Sequence, residues 1–355
     1  MLLRSPVYDE RDDLPPIESL ETMWKDDFTS QEFVINGLLR RGEKMILSGA
    51  SKAGKSFALT ELAVSIASGT QWLGNYSCTP NKVLYVNLEI DRASFLHRIY
   101  SVSEALHIPG KKWLKNFTVW NLRGYVLERK RLIDQLINVA LSKGAKVVIL
   151  DPIYKMGTGN ENSAREIAMF CDDLDKVATE AGCAVIYCHH HPKGNQSWKR
   201  PIDRAAGSGV FARDADVVLD IIELELPEKR RRKGIDAWRF TPICRNLPPQ
   251  PPVVDVWFNF PIHELEHFDH SDGVIAPHHE LPAYQRAMNG RKSKEEKLRE
   301  RNHRLEAAFD IVTARGDVPS ISNLSRQLQV NPQTIRNIVD EHQDFFRENG
   351  IIKRK

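Results

Sequence analysis

Gly49-Ala50-Ser51-Lys52-Ala53-Gly54-Lys55-Ser56 reads G-x-x-x-x-G-K-S. Before it lies Lys44-Met45-Ile46-Leu47-Ser48, an apolar run of strand length, and after it, from Phe57 to Ser68, apolar residues recur at helical spacing. A glycine-rich turn between a strand and a helix has a specific physical use. Gly49 and Gly54 let the backbone point successive N–H groups inward, and the helix N-terminus beyond adds positive potential, so the eight residues form an anion cradle. In such a cradle Lys55 reaches the β- and γ-phosphates of a nucleoside triphosphate, and Ser56 ligates magnesium through its hydroxyl. The expected ligands are ATP and Mg2+.

At 355 residues and 41% hydrophobic, the chain suits one large domain with a smaller companion. No run of about 18 apolar residues occurs, and the first residues, MLLRSPVYDERDDLPP, are too charged for a secretory signal, so the expectation is a cytoplasmic protein with no membrane partner. The five cysteines (Cys78, Cys171, Cys183, Cys188, Cys244) lack C-x-x-C spacing and read as small core residues. A formal net charge of +3 is close to balance, so any case for nucleic acid turns on where the basic residues cluster.

Taken in order, the chain reads as an N-terminal arm over 1–30, a nucleotide-binding core over 31–262, a linker over 263–297 rich in His, Pro and charge, and a small helical domain over 298–355. In the arm, Leu20, Met23, Trp24 and Phe28 could make one amphipathic turn. The core alternates strand-like and helix-like segments. Strands are expected at Met45–Leu47, Lys82–Leu88, Phe117–Trp120, Lys146–Leu150 and Ala184–Cys188, with helices at 57–68, 93–106, 127–143 and 164–181. That alternation argues for an α/β fold, a mostly parallel sheet flanked by helices. From Val217 strand follows strand, which predicts an antiparallel extension of the sheet.

Ligands of such sheets sit at the carboxyl ends of the strands. Val147-Val148-Ile149-Leu150-Asp151 is an apolar strand ending in an acid, and Asp151 is expected to complete the magnesium site with Ser56. Pro152 follows, so no neighbouring glutamate activates water. The base is expected from the strand that ends Asn87-Leu88-Glu89, with Asp91 as the local competitor of Glu89. The strand at Ala184 runs into His189-His190-His191-Pro192-Lys193-Gly194, where a polar residue could bond the γ-phosphate and report its loss. Neighbours on an extended strand face opposite ways, so the three histidines do not suggest a shared metal.

In that order the segments G-A-S-K-A-G-K-S, V-N-L-E, V-I-L-D-P and H-H-H-P-K-G resemble the RecA-type P-loop ATPases, and most closely the RepA-like hexameric replicative helicases of plasmids and other mobile elements, over roughly residues 33–260. The resemblance implies a RecA-like core, a homo-oligomeric ring and ATP bound between neighbours. By position it makes Lys55 and Ser56 the phosphate and magnesium ligands, Asp151 the metal-associated acid, Glu89 the catalytic base and His190 the phosphate sensor. It also implies an arginine reaching into the neighbour's site. Its expected place holds Asp216, and the replacements are Arg213, preferred, then Arg204 and Arg245.

Lys193, Trp198, Lys199 and Arg200 suit a loop lining a ring channel, basic groups tracking phosphates and the tryptophan stacking on a base. Lys229 to Lys233 adds a basic hairpin tip. Near the C-terminus, helices are expected over Leu305–Thr313, Ile321–Leu328 and Gln333–Asp340, a pattern that resembles a helix-turn-helix, possibly winged, with Gln333, Thr334, Arg336 and Asn337 at the start of the recognition helix. The expected function is an ATP-driven motor on single-stranded DNA, with duplex contact through the C-terminal domain. The alternatives are an ATP-regulated initiator or regulator and a recombinase-like filament.

Overall fold

The computed structural model describes residues 17–24, 31–125, 128–156, 163–191, 200–205, 210–224, 226, 228–268, 294–328, 330–342, 344–348 and 350–354. The chain forms two compact units, Met1–His278 and His279–Lys355. The first opens with a helical turn α1 (Leu20–Met23), then β1 (Phe33–Ile35), β2 (Leu39–Arg40), β3 (Lys44–Gly49), α2 (Lys55–Ser68), β4 (Gln71–Trp72), β5 (Tyr76–Ser77), β6 (Val83–Asn87) and α3 (Arg92–Ala105). It continues through β7 (Phe117–Asn121), α4 (Arg129–Lys143), β8 (Val147–Asp151), α5 (Ala164–Ala181), β9 (Ala184–His190), α6 (Pro201–Ala205) and α7 (Val210–Asp214). Last come β10 (Val217–Glu223), β11 (Asp236–Cys244), β12 (Val254–Asn259) and β13 (Ile262–Glu266).

Nine strands share one sheet in the order β13-β12-β11-β10-β3-β9-β8-β6-β7. From β10 to β7 the pairs are parallel, and β11 to β13 extend the sheet antiparallel. This is the expected α/β architecture, and its cause is visible in the period-two alternation of the strands. Met45, Leu47, Val83, Tyr85, Val147 and Ile149 face a core completed by α2 and α3, while Ile46, Leu84, Val86, Val148 and Leu150 face one completed by α4 and α5. With both faces covered, nearly every strand position is apolar. Emptying one such position, Ile149 at 0% exposure, costs about 2–5 kcal/mol.

One expectation needs correcting. The linker does not begin at residue 263, because Ile262–Glu266 pairs with β12 and completes the sheet. His263 is buried there against Glu61 of α2, 202 positions away, a polar pair that hydropathy does not reveal. In the arm, Leu20 and Met23 lie on α1 with Trp24 just beyond it, all three exposed on a single copy, and Phe28 lies outside the described residues.

The second unit contains α8 (Lys294–Ala314), α9 (Ile321–Leu328), α10 (Pro332–Glu341) and a hairpin of β14 (Phe345–Glu348) with β15 (Ile351–Arg354). Its core gathers Leu305, Ala308, Val312, Leu324, Ile335, Ile338, Val339, Phe345 and Ile352. The Ser320 hydroxyl accepts from the Asn323 N–H at 3.2 Å, and Asn331 caps α10 by accepting from the Gln333 N–H at 2.8 Å, with Pro332 in the first turn.

Candidate active site

The glycine-rich motif runs from Gly49, the last residue of β3, through the turn 50–54 to Lys55 and Ser56, the first residues of α2. Lys52 and Gly54 are left-handed, at φ 66° and 71°, and Gly54 closes the turn as the residue before α2. A side chain at Gly54 would be disfavoured twice, by that φ and by crowding against His263, whose Nε2 would lie 3.1 Å from the added Cβ. Ala50, Ser51 and Lys52 are exposed, whereas Ala53 and Lys55 are buried.

Lys55 is 5% exposed, and its ammonium spends its three protons on Gly49 O at 2.8 Å, Ala50 O at 2.6 Å and His190 Nδ1 at 3.1 Å. An acceptor at Nδ1 assigns the His190 ring proton to Nε2. Among the described residues no carboxylate bonds this lysine, and burial pushes its pKa down to about 8. His190 also lies 3.5 Å from the Ser51 hydroxyl. The other two histidines go elsewhere: His189 packs its ring against Phe211 at 4.9 Å, and His191 Nε2 lies 2.9 Å from Asp220.

Asp151 ends β8, 4% exposed, and the Ser56 hydroxyl donates to its Oδ1 at 3.0 Å. A hydroxyl and a carboxylate side by side at the mouth of an anion cradle are hard oxygen donors, which fits Mg2+. The phenol of Tyr85 donates to Oδ2 at 2.6 Å and the thiol of Cys188 to Oδ1 at 3.1 Å. Burial first, and then Asp151, push both groups well above their ordinary pKa values, so both are neutral donors. Glu89 lies just past β6, exposed, and accepts from the Tyr154 phenol at 3.1 Å. Burial and that bond push Tyr154 up to about 12. Its ring sits 5.9 Å from that of His190. Asp91 is committed elsewhere: it caps α3 by accepting from the N–H groups of Ala93 at 3.1 Å and Ser94 at 3.0 Å.

A cleft of about 470 Å³ joins these groups, lined by residues 51–57 with Glu89, Arg98, Pro152, Cys188, His190 and Phe258. A family model described as an AAA domain matches residues 14–196. The chain belongs to this AAA family of P-loop ATPases. The cleft of this AAA protein also takes residues from beyond the match. Phe258 of β12 lies 5.6 Å from Phe57, and Phe57 is itself covered by the Arg98 guanidinium at 4.1 Å. Sequence reasoning missed Arg98, Phe258 and Cys188 in the cleft lining, and Tyr85 and Tyr154 behind Asp151 and Glu89, because each looks ordinary until the fold supplies its partner.

The expected arginines separate. Arg204 is fully buried, donating to Asp220 Oδ2 from Nε at 2.9 Å and Nη2 at 2.5 Å, which removes it as a group reaching a neighbour. The available signal was Asp220, an acid in the middle of the apolar strand β10 that needs a buried partner. Arg213 is exposed on α7, just before β10 begins, at the amino ends of the parallel strands and so at the opposite end from the glycine-rich turn. Arg245 bonds the carbonyls of Arg213 and Asp214, and Asp216 accepts from the Lys44 N–H at 2.9 Å. Lys193, Trp198 and Lys199 lie outside the described residues, while Arg200 is exposed and pairs with Asp203 at 2.8 Å. On α10, Gln333 and Thr334 are exposed and Arg336 is half-buried. Gln333 bonds both Arg336, at 3.0 Å, and Asn337, at 3.1 Å. No helix of the described residues is long and apolar enough to cross a membrane.

Proposed function

We propose that this AAA ATPase is a DNA motor, a ring-forming replicative helicase of a plasmid, phage or other mobile element that couples ATP hydrolysis to movement of single-stranded DNA. The observation that carries the reading is the path from the cleft to the basic segment. His190 touches Lys55, and the next residue, His191, shares the buried carboxylate of Asp220 with Arg204. Both flanks of the sequence holding Lys193, Trp198 and Lys199 are therefore anchored on one strand, next to the strand that leads into the phosphate cradle.

In the proposed cycle residues 49–56 hold the triphosphate, with Lys55 exchanging its carbonyl partners for the β- and γ-phosphates. Ser56 and Asp151 hold magnesium, which when bound neutralises phosphate charge. Glu89 takes the proton of the attacking water, His190 senses the γ-phosphate, and Arg213 of a neighbouring copy offsets the charge that develops on the transferred group. The test is unwinding of forked duplexes with a 5′ or a 3′ tail. ATP-dependent strand separation on one polarity supports the reading, and hydrolysis without separation on either overturns it.

A second reading, an ATP-regulated initiator or regulator, is favoured by the C-terminal unit. α10, the second of two short capped helices, presents Gln333, Thr334, Arg336 and Asn337 together, and a hairpin carrying Arg347, Lys353 and Arg354 follows, as a winged helix-turn-helix would. Loss of duplex binding with retained hydrolysis, on removing residues beyond about 295, supports a DNA role for this unit.

A further inference from the structure

The acid that ends β8 is held from both sides. Tyr85 reaches it from β6 and Cys188 from β9, the two strands that flank β8, so three donors converge on its two oxygens: Ser56 and Cys188 on Oδ1, Tyr85 on Oδ2. Ser56 has one proton. Giving it to Asp151 leaves the lone pairs of its own oxygen for a cation in the cleft. That arrangement depends on the orientation of the carboxylate, and the terminal torsion of an aspartate is intrinsically broad.

We propose that Tyr85 is the positioning residue of the magnesium site: its phenol pins Oδ2 of Asp151 so that Oδ1 faces the Ser56 hydroxyl, with the Cys188 thiol as a weaker second clamp. The inference rests on the reading of Ser56 and Asp151 as the magnesium-binding pair. Tyr85 is fully buried and packs on Phe95 at 4.8 Å and Phe117 at 6.2 Å between ring centres, contacts that phenylalanine retains. The phenol oxygen alone makes the bond to the acid.

The test uses the full chain and three titrations: magnesium dependence of binding of a fluorescent non-hydrolysable ATP analogue, the same binding in EDTA, and Mn2+ binding by electron paramagnetic resonance. Tyr85→Phe is expected to raise the half-saturating metal concentration about 10- to 100-fold, as loss of a group that orients a metal ligand does, with binding in EDTA unchanged and turnover at saturating magnesium within about twofold. Cys188→Ala shifts the same quantity in the same direction by about threefold and decides the matter should Tyr85→Phe not fold. Wild-type metal dependence in the variant, or equal weakening with and without magnesium, overturns the proposal. Asp151→Asn separates the two levels. If it abolishes metal dependence while Tyr85→Phe leaves the half-saturating metal concentration at the wild-type value, only the positioning role falls. If Asp151→Asn leaves metal dependence intact, the underlying site reading falls with it.

Discussion

Two buried lysines bracket β3 and the turn after it, one opening the strand and one opening α2, and the two are opposites. Lys44 begins the strand at 2% exposure, bonded to Asp175 at 2.6 Å and Asp214 at 2.7 Å. Burial alone would lower its pKa, yet the two acids outweigh burial and the net shift is upward. Lys55 follows the strand at 5% exposure with two carbonyls and an imidazole as partners, and its pKa falls to about 8. The first charge is neutralised within the fold and holds α5 and α7 to the sheet. The second is bonded to dipoles alone, and Asp151, acting on it from a distance, does not offset its burial, so the fold carries an electrostatic cost that an arriving anion relieves. A buried cation with no carboxylate bonded to it among the described residues, at the start of the helix that follows a glycine-rich turn, marks a functional site better than burial or charge does alone.

The sharpest way to break this comparison is to remove each charge. Lys55→Ala is expected to abolish hydrolysis, a loss of at least about 10³-fold, while leaving the melting temperature of the nucleotide-free protein unchanged or higher. Glu89→Gln, which removes only water activation, is expected to lower turnover by about 10²–10⁴-fold with nucleotide affinity nearly intact. Near-normal turnover in Glu89→Gln would take the base role from this residue. Asp91 is a poor substitute, since its carboxylate is engaged as a helix cap.

Removing Lys44 acts on stability instead. Asp175 is 56% exposed and returns to water, so the cost of Lys44→Ala is set by Asp214 at 19% and comes to about 2–3 kcal/mol. Asp220→Ala, which strands a buried arginine with both partners at 0% exposure, should cost more, about 3–5 kcal/mol. Denaturant unfolding measures both, and hydrolysis per folded molecule should be unaffected in Lys44→Ala. A large loss of turnover there would deny that the two lysines differ in kind.

Proton linkage sharpens the contrast. Below about pH 8 Lys55 is already charged, so phosphate binding takes up no proton; above it the lysine is neutral in the free protein, and binding must bring one. ATP affinity is therefore expected to fall about fivefold from pH 8 to pH 9, with proton uptake visible by calorimetry in buffers of different ionisation heat. Lys55→Arg should lose this dependence. A flat profile in the wild type would mean that the ammonium is better solvated than its partners suggest.

The legible parts of the chain were those whose partners are close in sequence or whose pattern is periodic. The glycine-rich turn, Asp151 at a strand end, and the alternating runs at 83–87 and 147–151 declare themselves, since a strand covered on both faces must be apolar throughout. What stayed hidden depends on distant pairing. Tyr85 meets Asp151 across 66 positions and His263 meets Glu61 across 202. Arg204 read as a surface arginine because nothing nearby shows that α6 lies against β10.

The smallest expected signal concerns Arg213. Within one copy it stands before β10, while the phosphate cradle follows β3, which runs parallel to β10, so a strand length of roughly 15–20 Å separates them. It can act only on a nucleotide held by another copy. Arg213→Ala should then be inactive alone, and so should Lys55→Ala, but each supplies what the other lacks. In a head-to-tail ring assembled at random from equal amounts, roughly one interface in four pairs an intact Lys55 with an intact Arg213. Mixing should restore up to about that fraction of wild-type hydrolysis, rising with total protein concentration as rings form. Full DNA-stimulated turnover by Arg213→Ala alone would transfer the role to Arg245. Inactivity of every mixture would mean that hydrolysis needs several intact interfaces in sequence, which a titration of each variant into wild type would show as a steeper than linear loss.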